Sequence, residues 1–366
     1  MYAGEIPPVA AGATPLAEEI ARLEFRGSGA EYFRIWIVNL FLSIVTLGIY
    51  SAWAKVRRLR YFYGNTFVAD SSFGYHADPK KILKGRIIAA ALFLAYSLGG
   101  RISPFISIGA VLVFIVALPW IVVRSRMFQL RSTSYRNIRF GFDRCYRRAV
   151  QIYLGWGLAL VATLWLLFPW WQARRYEFLV RNSRFGTTTF SVDINAKHFY
   201  AVYAGAALVG IGALFVGGML ATGIIPLLGI DFKAAAGARA GPTPAMYLII
   251  AVIYMIMLPI LIAIGSFLQS SIVNTTYNGT TLGRHGLQSN LRAWPLFRIY
   301  IGNLVLTVLT LGVYVPWARV RLARYRAEST ALIVRGSLDD FVGIEAAAGA
   351  AVGEEIGDFF DVDFGL

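Results

Sequence analysis

Six stretches of this chain carry no charged residue over 20 positions or more: Ile35–Ala54, Ile102–Val123, Ala149–Ala173, Phe199–Ile230, Ala245–Gly283 and Ile299–Ala318. About 20 apolar residues of helix cross a hydrocarbon core about 30 Å thick, where no water is present to satisfy peptide groups. A seventh stretch, Ile87–Gly100, is shorter and lies between Arg86 and Arg101, whose side chains can snorkel to both interfaces. An interfacial helix that does not cross is the alternative there. The composition agrees, with 57% hydrophobic and 15% charged residues against about 25% charged in soluble domains. An ordinary soluble globule and a disordered chain are both excluded. The single cysteine, Cys145, excludes an internal disulfide framework. The expected class is an all-α integral membrane protein with about seven transmembrane helices.

The chain also repeats itself. Displaced by 264 positions, Phe33–Tyr61 matches Phe297–Tyr325 without a gap at 17 of 29 positions, including Asn39/Asn303, Thr46/Thr310, Gly48/Gly312, Trp53/Trp317 and Arg57/Arg321. Chance would give about two. A displacement of 117 adds a diverged copy through Trp53/Trp170, Arg57/Arg174, Arg58/Arg175, Asn65/Asn182 and Phe73/Phe190. This predicts a 3+3+1 internal repeat: a tail over 1–21, units over 22–149 and 150–296, a partial unit over 297–338, and an acidic tail over 339–366.

Three crossings per unit would invert the second unit relative to the first, as in many secondary transporters. With seven crossings, one face collects 23 of the 35 basic residues, which favours a cytoplasmic C-terminus and an outside N-terminus. Arg174, Arg175, Arg181 and Arg184 fall on the wrong face in that scheme. A competing topology makes Thr46–Tyr50 a break, so that these segments enter without crossing and the Arg-rich elbows share one face.

The elbows pair an aromatic with basic residues: Trp53 with Arg57 and Arg58, Trp120 with Arg124, Trp170 with Arg174 and Arg175, and Trp317 with Arg321. Indole rings settle at headgroup depth and arginines reach phosphates, so these residues are candidate interface positions with anionic lipid as partner. A nucleic-acid reading is set aside, because placement beside the spans already accounts for the charge. Short extramembrane β-hairpins are expected behind the elbows, over 65–75, 136–142, 182–192 and 277–282. The tail behind Asp339 is acidic but holds Phe341, Phe359, Phe360 and Phe364, so docking onto a basic loop is open beside solvation.

Neutral polar residues within the apolar stretches, Asn39, Asn303, Thr46 and Thr310, are candidates for interhelical hydrogen bonds or for solute contact. Small residues four apart in Phe199–Ile230, such as Ala206/Gly210 and Ala213/Gly217, suit close helix packing within the chain or between copies in a homo-oligomer. At about 48 Å that helix must tilt or break, at Gly217-Gly218 or Pro226. His76, His198 and His285 are scattered, and no phosphate-cradling or nucleophile motif occurs. No metal, cofactor or catalytic residue is assigned, and an enzyme is the least favoured class.

The segments Phe25–Phe33, Thr46–Arg57 and Gly353–Asp363 resemble the YjgN-like bacterial inner-membrane proteins, a domain of unknown function. The likeness extends from about residue 22 over nearly the whole chain. Ala52 departs from it where proline is expected; Pro316 holds that place in the third copy. The resemblance implies an inner-membrane location and a multi-pass helical fold and supplies no reaction; separately, Met1–Glu19 carries no Lys or Arg, so no cleavable signal is expected. Two functions stay open: a transporter or channel-like protein for a small solute or lipid, and a non-conducting envelope protein whose elbows bind anionic lipid or a partner.

Overall fold

The computed structural model describes residues 18–227 and 244–356. Its organising feature is a sheet of eleven strands, every neighbouring pair antiparallel. The first strands, β1 (Glu18–Arg22) and β2 (Glu24–Phe25), belong to one stretch of chain. β1 pairs with the last strand, β11 (Thr330–Arg335), and β2 pairs with β3 (Thr66–Val68), so this stretch joins the two edges. The sheet is thereby curled into a near-closed ring, which leaves few unpaired edge groups. Between them lie β4 (Ser71–Tyr75), β5 (Thr133–Tyr135), β6 (Ile138–Phe142), β7 (Ser183–Phe185), β8 (Thr188–Val192), β9 (Thr280–Leu282) and β10 (His285–Ser289).

This overturns the all-α expectation. The stretches expected as short β-hairpins do contain strands, and these form one continuous sheet rather than small β elements on an all-α protein. A lone hairpin of this length is not stable in water. Four side by side, joined by β11 and closed by the N-terminal segment, are.

Helical pairs rise from the ring between the hairpins: α1 (Gly29–Val45) with α2 (Ser51–Gly64), α3 (Pro79–Ile102) with α4 (Pro104–Arg131), and α5 (Tyr146–Val150) with α6 (Trp156–Ala162) leading to α7 (Phe168–Arg181). Then come α8 (Ala196–Leu227) with α9 (Pro244–Asn278), and α10 (Ala293–Leu309) with α11 (Val315–Glu328). At each return to the ring the same device appears. The first strand residue, Thr66, Thr133, Ser183, Thr280 or Thr330, donates its hydroxyl to the carbonyl four residues earlier, capping the helix end. The carbonyl just before that strand accepts an N–H from the end of the neighbouring hairpin: Arg26 to Asn65, His76 to Ser132, Asp143 to Asn182, Asp193 to Gly279 and Asn290 to Ser329, all at 2.7–2.9 Å.

The count of seven spans is also corrected. Among the described residues four helices are long and apolar enough to cross a membrane: α3, α4, Ala196–Met219 of α8 and Tyr247–Asn278 of α9. The stretches Ile35–Ala54, Ala149–Ala173 and Ile299–Ala318 are each folded back on themselves. Thr46 accepts the N–H of Tyr50 at 2.9 Å, Thr310 that of Tyr314 at 3.0 Å, and Leu47, Gly48, Leu311, Gly312, Leu164 and Trp165 take positive φ. An uncharged length therefore held two arms of a helical hairpin rather than one crossing. Pro169 and Pro316 sit in the first turns of α7 and α11, where a missing N–H costs nothing. α2, α7 and α11 each run straight into a strand of the same ring, so the elbows share one side of the molecule. The pairing of β1 with β11 likewise puts residues 18–22 and 330–335 together, against the expectation of ends on opposite faces.

The ring encloses a core built from every hairpin, with Leu23, Val68, Phe73, Tyr135, Phe140, Phe185, Phe190, Leu282 and Leu332 in one cluster. A last helix, α12 (Leu338–Ile356), adds Phe341 and Val342 to that cluster. The acidic segment is thus docked over 338–348. Residues 1–17 and the phenylalanines at 359, 360 and 364 lie outside the described residues. α8 continues unbroken through Gly217-Gly218, and methyl groups added at Gly210 and Gly217 would meet Ile264, Ile256 and Met257 of α9. The small-residue side is used inside the chain.

Candidate functional site

α3 and α4 are joined by one extended residue, Ser103, because Pro104 excludes helical geometry before it. Gly99 lets Ile106 approach, and the Ser107 hydroxyl donates to the Tyr96 carbonyl at 2.9 Å. From this tight tip the two helices run to the ring and enclose, with α2, a cleft of about 710 Å³. Its walls are apolar: Ile88, Leu92, Phe93, Val111, Phe114 and Trp120. Its ring-side end is not. There it meets Lys55, Arg86, Ser125 and Gln129, with Tyr75 of β4 beside them.

The basic end is built by three helices. Arg86 donates to the Ser51 hydroxyl, which ties α3 to the start of α2. Arg58, one turn beyond Lys55, lies within electrostatic reach of Arg86 and of Arg319 on α11. Arg319 in turn donates to the Tyr32 hydroxyl at 3.0 Å. Lys55 is an exposed residue, but desolvation by the surrounding helices, then the nearby Arg86 and Arg58, holds its ammonium below its usual pKa. Burial and Arg319 do the same to Arg58. Tyr75, 4% exposed and stacked on Tyr63 at 5.4 Å, is pushed up to about 12, chiefly by burial. Among the described residues no carboxylate forms an ion pair with Lys55, Arg58, Arg86 or Arg319. Elsewhere the arrangement differs, since Glu177 bridges Arg174 at 2.7 Å and Arg181 at 2.9 Å.

The residues singled out from sequence do not gather at one place. Asn303 donates to the Ala318 carbonyl at 3.1 Å and pins α10 to α11; Asn39 is its buried counterpart on α1. Thr46 and Thr310 close the hairpin turns. Arg124 lies over Trp120, Arg174 over Trp170 and Arg175 over Trp171, with guanidinium carbons 5.5–5.7 Å from the ring centroids. Trp53 stacks on Tyr50 and Trp317 on Tyr314. Arg57 and Arg321 are exposed.

Of these residues Trp120 lines the cleft and Arg58 stands behind its basic end. Arg86 marks the boundary of the Ile87–Gly100 stretch, while Lys55 and Arg319 stand two residues after Trp53 and Trp317 in separate elbows. Nothing in their spacing joins them, because ring closure, not chain proximity, brings α11 beside α1 and α2. The described residues contain no cluster of metal-ligating side chains.

The chain is similar to the inner membrane protein YjgN of Salmonella typhimurium (strain LT2), at 23% identity over 356 residues, covering 87% of this chain and 89% of that protein. It is also similar to the inner membrane protein YjgN of Escherichia coli (strain K12), at 30% identity over 125 residues, 32% of this chain and 30% of that one. No solved structure matches significantly. With residues 21–359 matched, the chain belongs to the family described as bacterial protein of unknown function (DUF898).

Proposed function

We propose that this protein is a multi-pass protein of the bacterial inner membrane that takes up the acyl portion of an anionic membrane lipid in the cleft between α2, α3 and α4. The named relatives are inner membrane proteins. In this reading α3–α4 and α8–α9 cross the bilayer as pairs, while α1–α2, α6–α7 and α10–α11 dip in by their apolar tips, with Leu47 and Leu311 both 95% exposed. The ring and α12 then lie on the cytoplasmic side, where a bilayer favours Lys and Arg. In this reading every helical pair leaves and returns on the ring side, so neither unit is inverted and the feature that suggested solute transport is not used.

One observation carries the reading: an apolar cleft of about 710 Å³ ending on Lys55 and Arg86, with which no described carboxylate forms an ion pair, which is the shape of an acyl chain below an acidic headgroup. The test fills it. Ala117→Trp in the wall is expected to remove phospholipid that native mass spectrometry finds retained by the detergent-purified protein. Full retention by the variant, or no retained lipid in the parent, overturns the reading.

A further inference from the structure

The basic end of the cleft selects among headgroups, and this inference rests on the lipid reading above. We infer that Lys55 and Arg86, with Arg58 behind them, form a site for a phospholipid whose headgroup is a terminal phosphate, a phosphomonoester carrying close to two negative charges.

Lys55 from α2 and Arg86 from α3 line the end of the cleft, and Arg58 of α2 lies within electrostatic reach of Arg86 and of Arg319 on α11. Like charges brought together with no ion-paired carboxylate among the described residues raise the free energy of the empty site, and this cost is relieved by an anion. A phosphodiester offers one charge to this cluster. A phosphomonoester offers nearly two, with three oxygens that suit guanidinium forks. Arg86 and Arg319 are each already oriented by a hydroxyl, from Ser51 and Tyr32, so little side-chain freedom remains to be lost on binding. The apolar walls commit the phosphate to a lipid rather than to a free ion.

The experiment uses the full chain in detergent with phosphatidic acid, phosphatidylglycerol, phosphatidylcholine or inorganic phosphate, and reads affinity by native mass spectrometry with thermal shift alongside. Phosphatidic acid is expected to bind about tenfold tighter than phosphatidylglycerol, and inorganic phosphate in millimolar excess is expected not to displace it. Lys55→Gln and, separately, Arg86→Gln are expected to abolish that preference while both lipids still bind. Arg144→Gln, which removes an exposed charge between β6 and α5, outside the cleft lining, is expected to preserve it. If Arg86→Gln fails to fold, Lys55→Gln at an exposed position decides the matter alone.

Equal binding of the two anionic lipids overturns the headgroup inference, and so does a preference untouched by Lys55→Gln. Displacement by inorganic phosphate overturns the lipid source and leaves an anion site. These results are separable from failure of the functional reading, in which neither lipid's binding responds to Ala117→Trp.

Discussion

The carboxylate of Glu345 accepts the backbone N–H of Thr187 at 2.6 Å, although 158 residues separate them. The same carboxylate accepts the hydroxyls of Thr187 and Thr188 and the Thr188 N–H, so α12 is fastened across the β7–β8 turn. Arg136, at the β5–β6 turn, pairs with Asp339, nearly two helical turns before Glu345. Glu345→Ala is expected to leave several donors without their charged acceptor and to cost about 2 kcal/mol. The check is hydrogen exchange. Protection should fall over 338–348 while the ring strands keep theirs, and unchanged protection of α12 would remove this account of its docking.

Docking of α12 should also depend on pH. His285 is 1% exposed, its Nδ1 accepts the Arg335 N–H at 3.3 Å, and its ring meets that of Phe341 with centroids 4.8 Å apart. Burial, with Arg284 and Arg335 nearby, lowers its pKa below 6.5. The unfolded state therefore binds the proton first, and stability that is complete above pH 6.5 declines below it. Glu345 acts in the same direction at lower pH. Burial alone would raise its pKa, but the hydrogen bonds from Thr188 and Thr187 outweigh it and bring the value below 4.5. Its contribution is present above 4.5 and lost as pH falls through the folded value. Proteolytic release of α12 should thus rise between pH 7 and 5, and His285→Phe should flatten that part of the profile.

Gly48 takes φ +90° with no atom within 4 Å of where a methyl would stand. Any cost of Gly48→Ala is therefore backbone strain alone, about 1–2 kcal/mol. Leu47→Asp, at a tip 95% exposed, should leave thermal stability in detergent within about 0.5 kcal/mol yet weaken retention in membranes under carbonate extraction. A large loss of stability in Leu47→Asp would mean that the tip packs against protein rather than lipid.

Reporters inserted after residues 70, 137 and 188 should all register the same side of the membrane. Asp70, Asn137 and Thr188 lie at or beside turns of hairpins in one ring. Accessibility of site 188 from the opposite side would contradict the paired crossings.

Asn303→Leu should lower stability by about 1 kcal/mol through loss of its bond to the Ala318 carbonyl. It should leave lipid retention unchanged, since Asn303 does not line the cleft. Reduced retention at full stability would restore the alternative of ligand contact.

Much was legible locally. Alternation of Phe, Val and Thr with turn residues marked strands near 65–75, 136–142 and 182–192, because a strand's period is written in adjacent residues. The break at Thr46–Tyr50 could be read as an alternative to crossing, from a threonine and a glycine five residues from a tryptophan elbow. The uncharged stretches themselves could not say whether they held one span or two arms, since hydropathy reports what a segment's neighbours must be and not which way it runs.

The sequence by itself therefore determined that long apolar helices alternate with short strands and basic elbows, because those follow from side-chain hydropathy and period along the chain. Only the tertiary structure decided that the strands close into one ring. Closure depends on Glu18–Phe25 pairing with β11 on one side and β3 on the other, across most of the chain's length. That same closure sets Arg319 beside Arg58, and so creates a patch of positive charge from residues whose separation in sequence gives no sign of it.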